Sequence, residues 1–299
     1  MSPKRWRFSL FDVFNYLVFM LFMLVCVYPF YYMFIITISS PSAVARGDVI
    51  FIPREVHLQN YANIIAMPAI YRATFISVAR TVLGTILTIF SCSFFGYLVL
   101  QRALPLRRLI YRFVVITMFF NAGLIPWFIV MKLLGMQNNF LLYILPSAVI
   151  PFYLILFKTY IEHTIPPSVQ ESAFMDGAGH FTIFVRIIFP LSTPIVATIA
   201  VFAAVGQWNT FIDTLFLVRE PRLLTLQMLL YQYLQQVQAV ARAIRSGGIA
   251  TAARQGGYQI SPTAVRMTVS MVVVFPILIV YPVLQRYFVK GIMIGAIKG

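Results

Sequence analysis

The chain has 299 residues, 61% of them hydrophobic and only 10% charged, with a mean hydropathy of +0.87. Soluble domains carry about 25% charged residues, so the composition excludes a water-soluble enzyme or binding module and describes an integral membrane protein. A net charge of +15 would suggest nucleic acid in a soluble chain. Here the same basic residues are needed at membrane borders, and nucleic acid is set aside as a partner. Cys26 and Cys92 lie in apolar runs without C-x-x-C spacing or a histidine partner, so they read as buried small hydrophobes, with no metal or redox site.

A helix needs about 20 apolar residues to cross the hydrocarbon core. Charge-free intervals at 13–38, 81–100, 113–131, 141–161, 187–212 and 267–285 predict an all-α protein of six transmembrane helices. The fourth reaches 161 only if Lys158 snorkels. The first is too long for a signal peptide and lacks a small-residue cleavage site. An even number of spans puts both termini on one side. Basic residues crowd the short segments at Lys4, Arg5 and Arg7 and at Arg102, Arg107, Arg108 and Arg112, which makes that side cytoplasmic.

In chain order, 41–72 is an external loop with a short interfacial helix expected over 58–65. The second span carries Thr85, Thr88, Ser91, Ser93 and Gly96, which suit close helix packing in lipid. The third holds Asn121, Gly123 and Pro126, predicting a broken helix that lines a cavity or is covered by protein. Trp127 follows as a stacking surface or as ordinary packing. The fifth span ends in Gln207, Trp208, Asn209 and Asp213, with Asn209 and Asp213 four apart on one expected helix face. Amides and a carboxylate that bind hydroxyls, beside an aromatic ring, are the chemistry of sugar recognition. The alternative is an outer-interface position, where tryptophan belongs anyway. The external loop 219–263 has a helical pattern over 223–244, broken by paired glycines, and reads as a partner-contacting segment or a lid.

The cytoplasmic loop 162–186 is the longest water-adapted interval in the middle of the chain. Pro166 and Pro167 close what precedes it. Ser168 and Glu171 have capping-box spacing, predicting a helix from Val169, and Gly177 suits a left-handed stop. A short capped helix between two spans is a docking knob.

Glu171-Ser172-Ala173, three residues, Gly177, nine residues, Ile187, one residue and Phe189-Pro190 resembles the EAA signature, EAA-x3-G-x9-I-x-LP, of binding-protein-dependent ABC importer permeases. Ser172 replaces alanine and Phe189 replaces leucine. The stretches NAGLIPWFIVMKLLGMQNNF, WNTFIDTLF, ISPTAVRM and YFVKGIMIGAIKG are similar to the carbohydrate-uptake (maltose-type) branch, most of all its oligosaccharide and lipoprotein-named subgroup, over nearly the whole chain.

The resemblance implies a type I ABC importer permease fold in the bacterial cytoplasmic (inner) membrane, working by alternating access. It implies coupling to an ATPase through Glu171, Ser172, Ala173, Asp176, Gly177, Ile187 and Pro190. The implied partners are a homologous second permease, an ABC ATPase dimer, an extracytoplasmic solute-binding protein, an oligosaccharide and membrane lipid. The candidate substrate cavity comprises Asn121, Trp127, Gln207, Trp208, Asn209 and Asp213. No G-x-x-x-x-G-K-[ST] occurs, so no cofactor belongs to this chain and ATP and Mg fall to the partner.

Other classes fit less well. A permease for another solute, such as a peptide, is the nearest alternative. An intramembrane enzyme needs convergent ionisable groups, whereas Asp213 is the one candidate carboxylate and the three histidines fall in loops. A secondary transporter would show midplane charges or an inverted repeat. The segments assigned outside hold eleven basic and four acidic residues, with Arg80 and Arg266 nearest the span mouths. A positive mouth suits an acidic, uronate-containing oligosaccharide. The same residues also suit acidic patches on the binding protein or anionic lipid, and their loop positions favour that account.

Overall fold

The computed structural model describes residues 9–245, 263, 264 and 266–279, and all regular structure among them is helical. The chain divides into two compact units, 1–67 with 232–274 and 68–231 with 275–299.

In the first unit, α1 (Leu10–Thr37) starts at a capping box: Phe11 N–H donates to Ser9 Oγ at 3.3 Å, and Ser9 N–H donates to Asp12 Oδ2 at 2.9 Å. Its most apolar window is wholly unburied, a surface suited to lipid. Its last carbonyls are capped by Asn60, whose Nδ2 donates to the oxygens of Thr37 at 2.9 Å and Ser39 at 3.3 Å. The intervening loop carries α2 (Pro41–Arg46), and α3 (Gln59–Ile65) follows it.

The second unit is built on α4 (Pro68–Leu98), whose 31 residues span about 46 Å at 1.5 Å per residue. This helix begins well before residue 81, where the charge of Arg80 marked the start of a span in the sequence. α5 (Arg107–Phe119) and α6 (Leu124–Leu133) follow, separated by a break at 120–123. Gly123 takes φ +82°, and Asn121 Oδ1 accepts its N–H at 2.9 Å. Pro126 lies in the first turn of α6, where a missing N–H costs nothing.

Two 3-10 turns, Phe140–Tyr143 and Leu145–Ser147, meet α7 (Pro151–Thr164) at a bend of 44°. Then come α8 (Pro167–Met175), α9 (His180–Ile183), a π turn (Phe184–Ile188) and α10 (Phe189–Leu191). An 83° bend leads into α11 (Thr193–Asn209), followed by α12 (Ile212–Leu217); α13 (Leu226–Arg245) and α14 (Arg266–Ile279) each have residues in both units. By length and apolarity α1 and α4 can each cross a membrane alone, and each bent pair can cross as one broken span. Residues 280–285 of the interval 267–285, 246–262 of the external loop, and the tail YFVKGIMIGAIKG lie outside the described residues.

The core of the second unit forms where α4 packs against α7 and α11. A Cβ at Gly96 would stand 3.0 Å from the Leu154 carbonyl oxygen and 3.2 Å from Phe157 Cδ1, so the missing side chain sets the α4–α7 spacing. Around it Tyr97, Phe157, Phe184 and Ile188 are all fully buried. Lys158 does not interrupt α7, because Nζ pairs with Glu162 Oε2 at 2.6 Å and lies 4.6 Å from the centroid of the Tyr111 ring. Replacing Gly96 by leucine forces backbone and ring apart and should destabilise the protein by about 1–3 kcal/mol. A thermal melt of the purified protein should show a clear fall in midpoint, while Gly206→Leu, with nothing within 4 Å of its added Cβ, should melt near the wild type.

Candidate functional site

Two places in the second unit are candidates for function. The first is α8. It starts at Pro167 with Pro166 as its N-cap and no side-chain cap. The capping box expected from Ser168 and Glu171 therefore does not form. Proline's fixed φ and absent N–H make it the better first residue, and Ser168 falls inside the first turn. Glu171 lies beyond that turn, away from the N-terminal partial charge.

The stop conforms to expectation. Gly177 takes φ +81°, its N–H donates to the Phe174 oxygen at 3.0 Å, and Ala178 N–H donates to the Ala173 oxygen at 3.0 Å. Those two bonds are the Schellman pattern, which satisfies carbonyls the helix end leaves open. Ala173 is buried and anchors α8 to the aromatic core, while Glu171, Ser172, Asp176 and Pro190 are exposed and Ile187 is half-buried against that core. Met175 is 87% exposed, an apolar side chain with nothing of its own chain to cover it. Beside α8 a groove of about 610 Å³ is lined by Gln101, Arg102, Arg107, Gln170, Glu171 and Phe174 among others. Gln101 Nε2 donates to Gln170 Oε1 at 3.1 Å, tying the end of α4 to α8.

The second place is a cavity of about 250 Å³ at the other half of α4, lined by Trp127, Tyr143, Ser147, Gln207, Arg80 and Asp213 among others. The structure brings together three of the six residues expected here. Trp127 lines the cavity. Gln207 and Asp213 line it too, but both are engaged by Arg80, a buried arginine that sequence reasoning had assigned to an external mouth. Its Nη2 pairs with Asp213 Oδ2 at 2.5 Å, and its Nε donates to Gln207 Oε1 at 3.0 Å. The guanidinium also lies 4.7 Å from the centroid of the Tyr143 ring.

Asn209 and Asp213 do not share a helix face, because α11 ends at Asn209 and α12 starts anew at Ile212. Asn209 is exposed, and its Oδ1 accepts from Gln227 Nε2 at 3.3 Å. Trp208 is buried but is not among the residues lining the cavity. Asn121 is spent on the α5–α6 break. Among the described residues no cluster of histidine, cysteine or carboxylate could hold a metal.

A helical membrane fold with an exposed, glycine-stopped helix between apolar segments fits a transport permease. Residues 95–294 match the family described as "Binding-protein-dependent transport system inner membrane component". The chain belongs to this family: it is a transport subunit of a bacterial inner membrane and not an enzyme. It is 34% identical to the polygalacturonan/rhamnogalacturonan transport system permease protein YtcP of Bacillus subtilis (strain 168), over 97% of this chain and 99% of that one. It is 32% identical to Protein LplC of the same strain, over 97% and 95%. Among solved structures it resembles a bacterial ABC transporter involved in the import of the acidic polysaccharide alginate, with a TM-score of 0.83, 27% identity, and 96% and 100% of the two chains covered.

A side chain at Gly177 meets open space, so its cost is backbone strain alone, about 1–2 kcal/mol. Gly177→Ala should therefore loosen α8, raising amide hydrogen exchange over 167–178 on the order of tenfold. Gly179→Ala is the control. That residue has φ −77° and equally open surroundings, and exchange should not change.

Proposed function

We propose that this chain is one of two permease subunits of an ATP-driven, binding-protein-dependent importer of oligosaccharides. The observation that carries the proposal is α8, a short rigid helix that exposes Glu171, Ser172 and Met175 and is fastened through Ala173 to the aromatic core on α4 and α7. Such a helix moves with the spans rather than against them. Its partner is an ATPase dimer that binds ATP and Mg, with Glu171, Ser172, Asp176 and Gly177 at the contact and Ile187 and Pro190 carrying the motion onward. Closure of the ATPase dimer rocks the spans and opens the cavity to the loaded binding protein, and hydrolysis reverses the movement.

In this reading the chain crosses the inner membrane six times at 13–38, 81–100, 113–131, 141–161, 187–212 and 267–285, each bent pair being one span. Both termini and the loop 162–186 are cytoplasmic, and 219–263 is external. A homologous second permease completes the translocation path, and lipid covers α1.

The solute class rests on the relatives. Those whose names specify polygalacturonan and alginate handle polymers of uronic acids, and the same chemistry suits this chain. In the cavity, Trp127 offers a ring face to a sugar. Arg80 cannot draw a uronate, since Asp213 already neutralises it. Attraction of the anionic chain falls to exposed basic groups such as Arg219.

The test is the complete complex in liposomes. Loaded binding protein should raise ATP hydrolysis several-fold, and Gly177→Asp should remove that rise while the subunits still copurify. Normal stimulation in Gly177→Asp would defeat the coupling role of α8. In a cysteine-free background, Ser172→Cys should label only from the cytoplasmic side and Arg219→Cys only from outside. Same-side labelling would remove the topology. Uronic oligosaccharides should outcompete neutral ones of equal length, and equal competition would remove the acidic preference.

A further inference from the structure

Arg80 is 3% exposed, in the middle of α4, and four of its five N–H groups are given to a break in another helix. Nε donates to Gln207 Oε1 at 3.0 Å, on the last turn of α11. Nη1 donates to the Thr210 carbonyl at 3.0 Å, the oxygen left open where α11 ends, and to Asp213 Oδ1 at 3.1 Å. Nη2 donates to Asp213 Oδ2 at 2.5 Å, in the first turn of α12. One side chain thus holds both sides of the interruption.

The hold extends in two directions. Gln207 Nε2 donates to Ser147 Oγ at 2.5 Å, on the turn that precedes α7. Its side chain lies across Gly84, where a Cβ would stand 2.5 Å from Nε2. One turn before Arg80, Ser77 Oγ accepts the N–H of Leu226, the first residue of α13, at 2.8 Å. A cation kept for an anionic solute would leave most of its donors free toward the cavity. A simple ion pair would need only the carboxylate. Arg80 does neither, because it also binds a backbone carbonyl and an amide that is itself tied to the opposite wall.

We infer that Arg80 is a positioning residue of the transport cycle: it keeps the chain broken between α11 and α12 and ties that break to α4, so that α4, the base of α13 and the cavity wall move together. The inference rests on the permease reading above. Arg80 acts through Gln207 and Asp213 and does not touch the solute.

The test is the double substitution Arg80→Met with Asp213→Leu in the assembled complex. Removing both charges leaves neither one buried alone, and such replacements are often neutral for stability. The double variant should copurify with its partners and melt near the wild type, yet lose stimulation by loaded binding protein on the order of tenfold. The loss should be equal for neutral and uronic oligosaccharides. Arg80→Lys keeps the charge but cannot reach Gln207, Thr210 and Asp213 at once, and should give a smaller loss.

An assembled double variant with wild-type stimulation overturns the inference. So does a loss confined to uronic solutes, which would make Arg80 a solute contact. Should the double variant fail to assemble, Gln207→Met decides. It keeps the ion pair and cuts the link to Ser147, and undiminished stimulation there overturns the inference. A wild-type complex that shows no stimulation would instead bring down the permease reading itself.

Discussion

A buried guanidinium needs its charge matched, and the Arg80–Asp213 pair is that match here. Removing one partner of such a pair costs about 3–5 kcal/mol, because the other charge stays buried. Much of the local architecture follows from meeting this demand. Asp213 must be brought to Arg80, so α11 stops at Asn209 and α12 restarts at Ile212. The carbonyl exposed by the stop becomes an acceptor for the same fork. Ser77, Arg80, Gly84 and Thr88 recur at three- and four-residue spacing and so form one buried face of α4. Each of them meets a different segment: Leu226, the α11–α12 break, Gln207 and Ser147.

The other half of α4 works by shape instead of charge. Gly96 admits the backbone of α7, and Phe90, Phe94 and Tyr97 pack against Phe184 with centroids 5.2–6.1 Å apart. Aromatic pairs in this geometry add about 0.5–1.5 kcal/mol each beyond the area they bury. Ala173 of α8 and Ile188 of the π turn join the same cluster. One helix therefore carries a polar lock and an apolar anchor, separated by about 25 Å over the residues from Arg80 to Tyr97. In the permease reading proposed above, α4 joins α8 to the cavity wall as one continuous helix.

The sequence was most legible where one residue type has one physical use. Gly177 as a left-handed stop and the interruption around Asn121 and Gly123 could both be read from local chemistry, as could the membrane character of the chain. It was least legible where a long-range partner overrode a local rule. Arg80 was taken as the border of a span because charges normally sit at borders. Its partner lies 133 positions away. The signals available were Asp213 directly after the fifth span and the small-polar spacing of Ser77, Gly84 and Thr88 around an arginine. Asn209 and Asp213 were placed on one face because no proline or glycine announces the break between them. Ser168 lost the N-cap to Pro166, since two consecutive prolines start a helix earlier than a serine can.

The π turn at 184–188 gives the spacing in the EAA signature a geometric meaning. A turn closed over five residues holds about one more residue than an α turn, and each residue in a helix advances the chain by about 100°. Delete one residue from the helical stretch between His180 and Ile187, and everything after it rotates by that angle. Ile188, now completely enclosed, would leave the aromatic cluster, and the 83° elbow before α11 would point elsewhere. The nine-residue interval is thus an angular setting, fixing the azimuth at which α11 leaves the chain that follows α8.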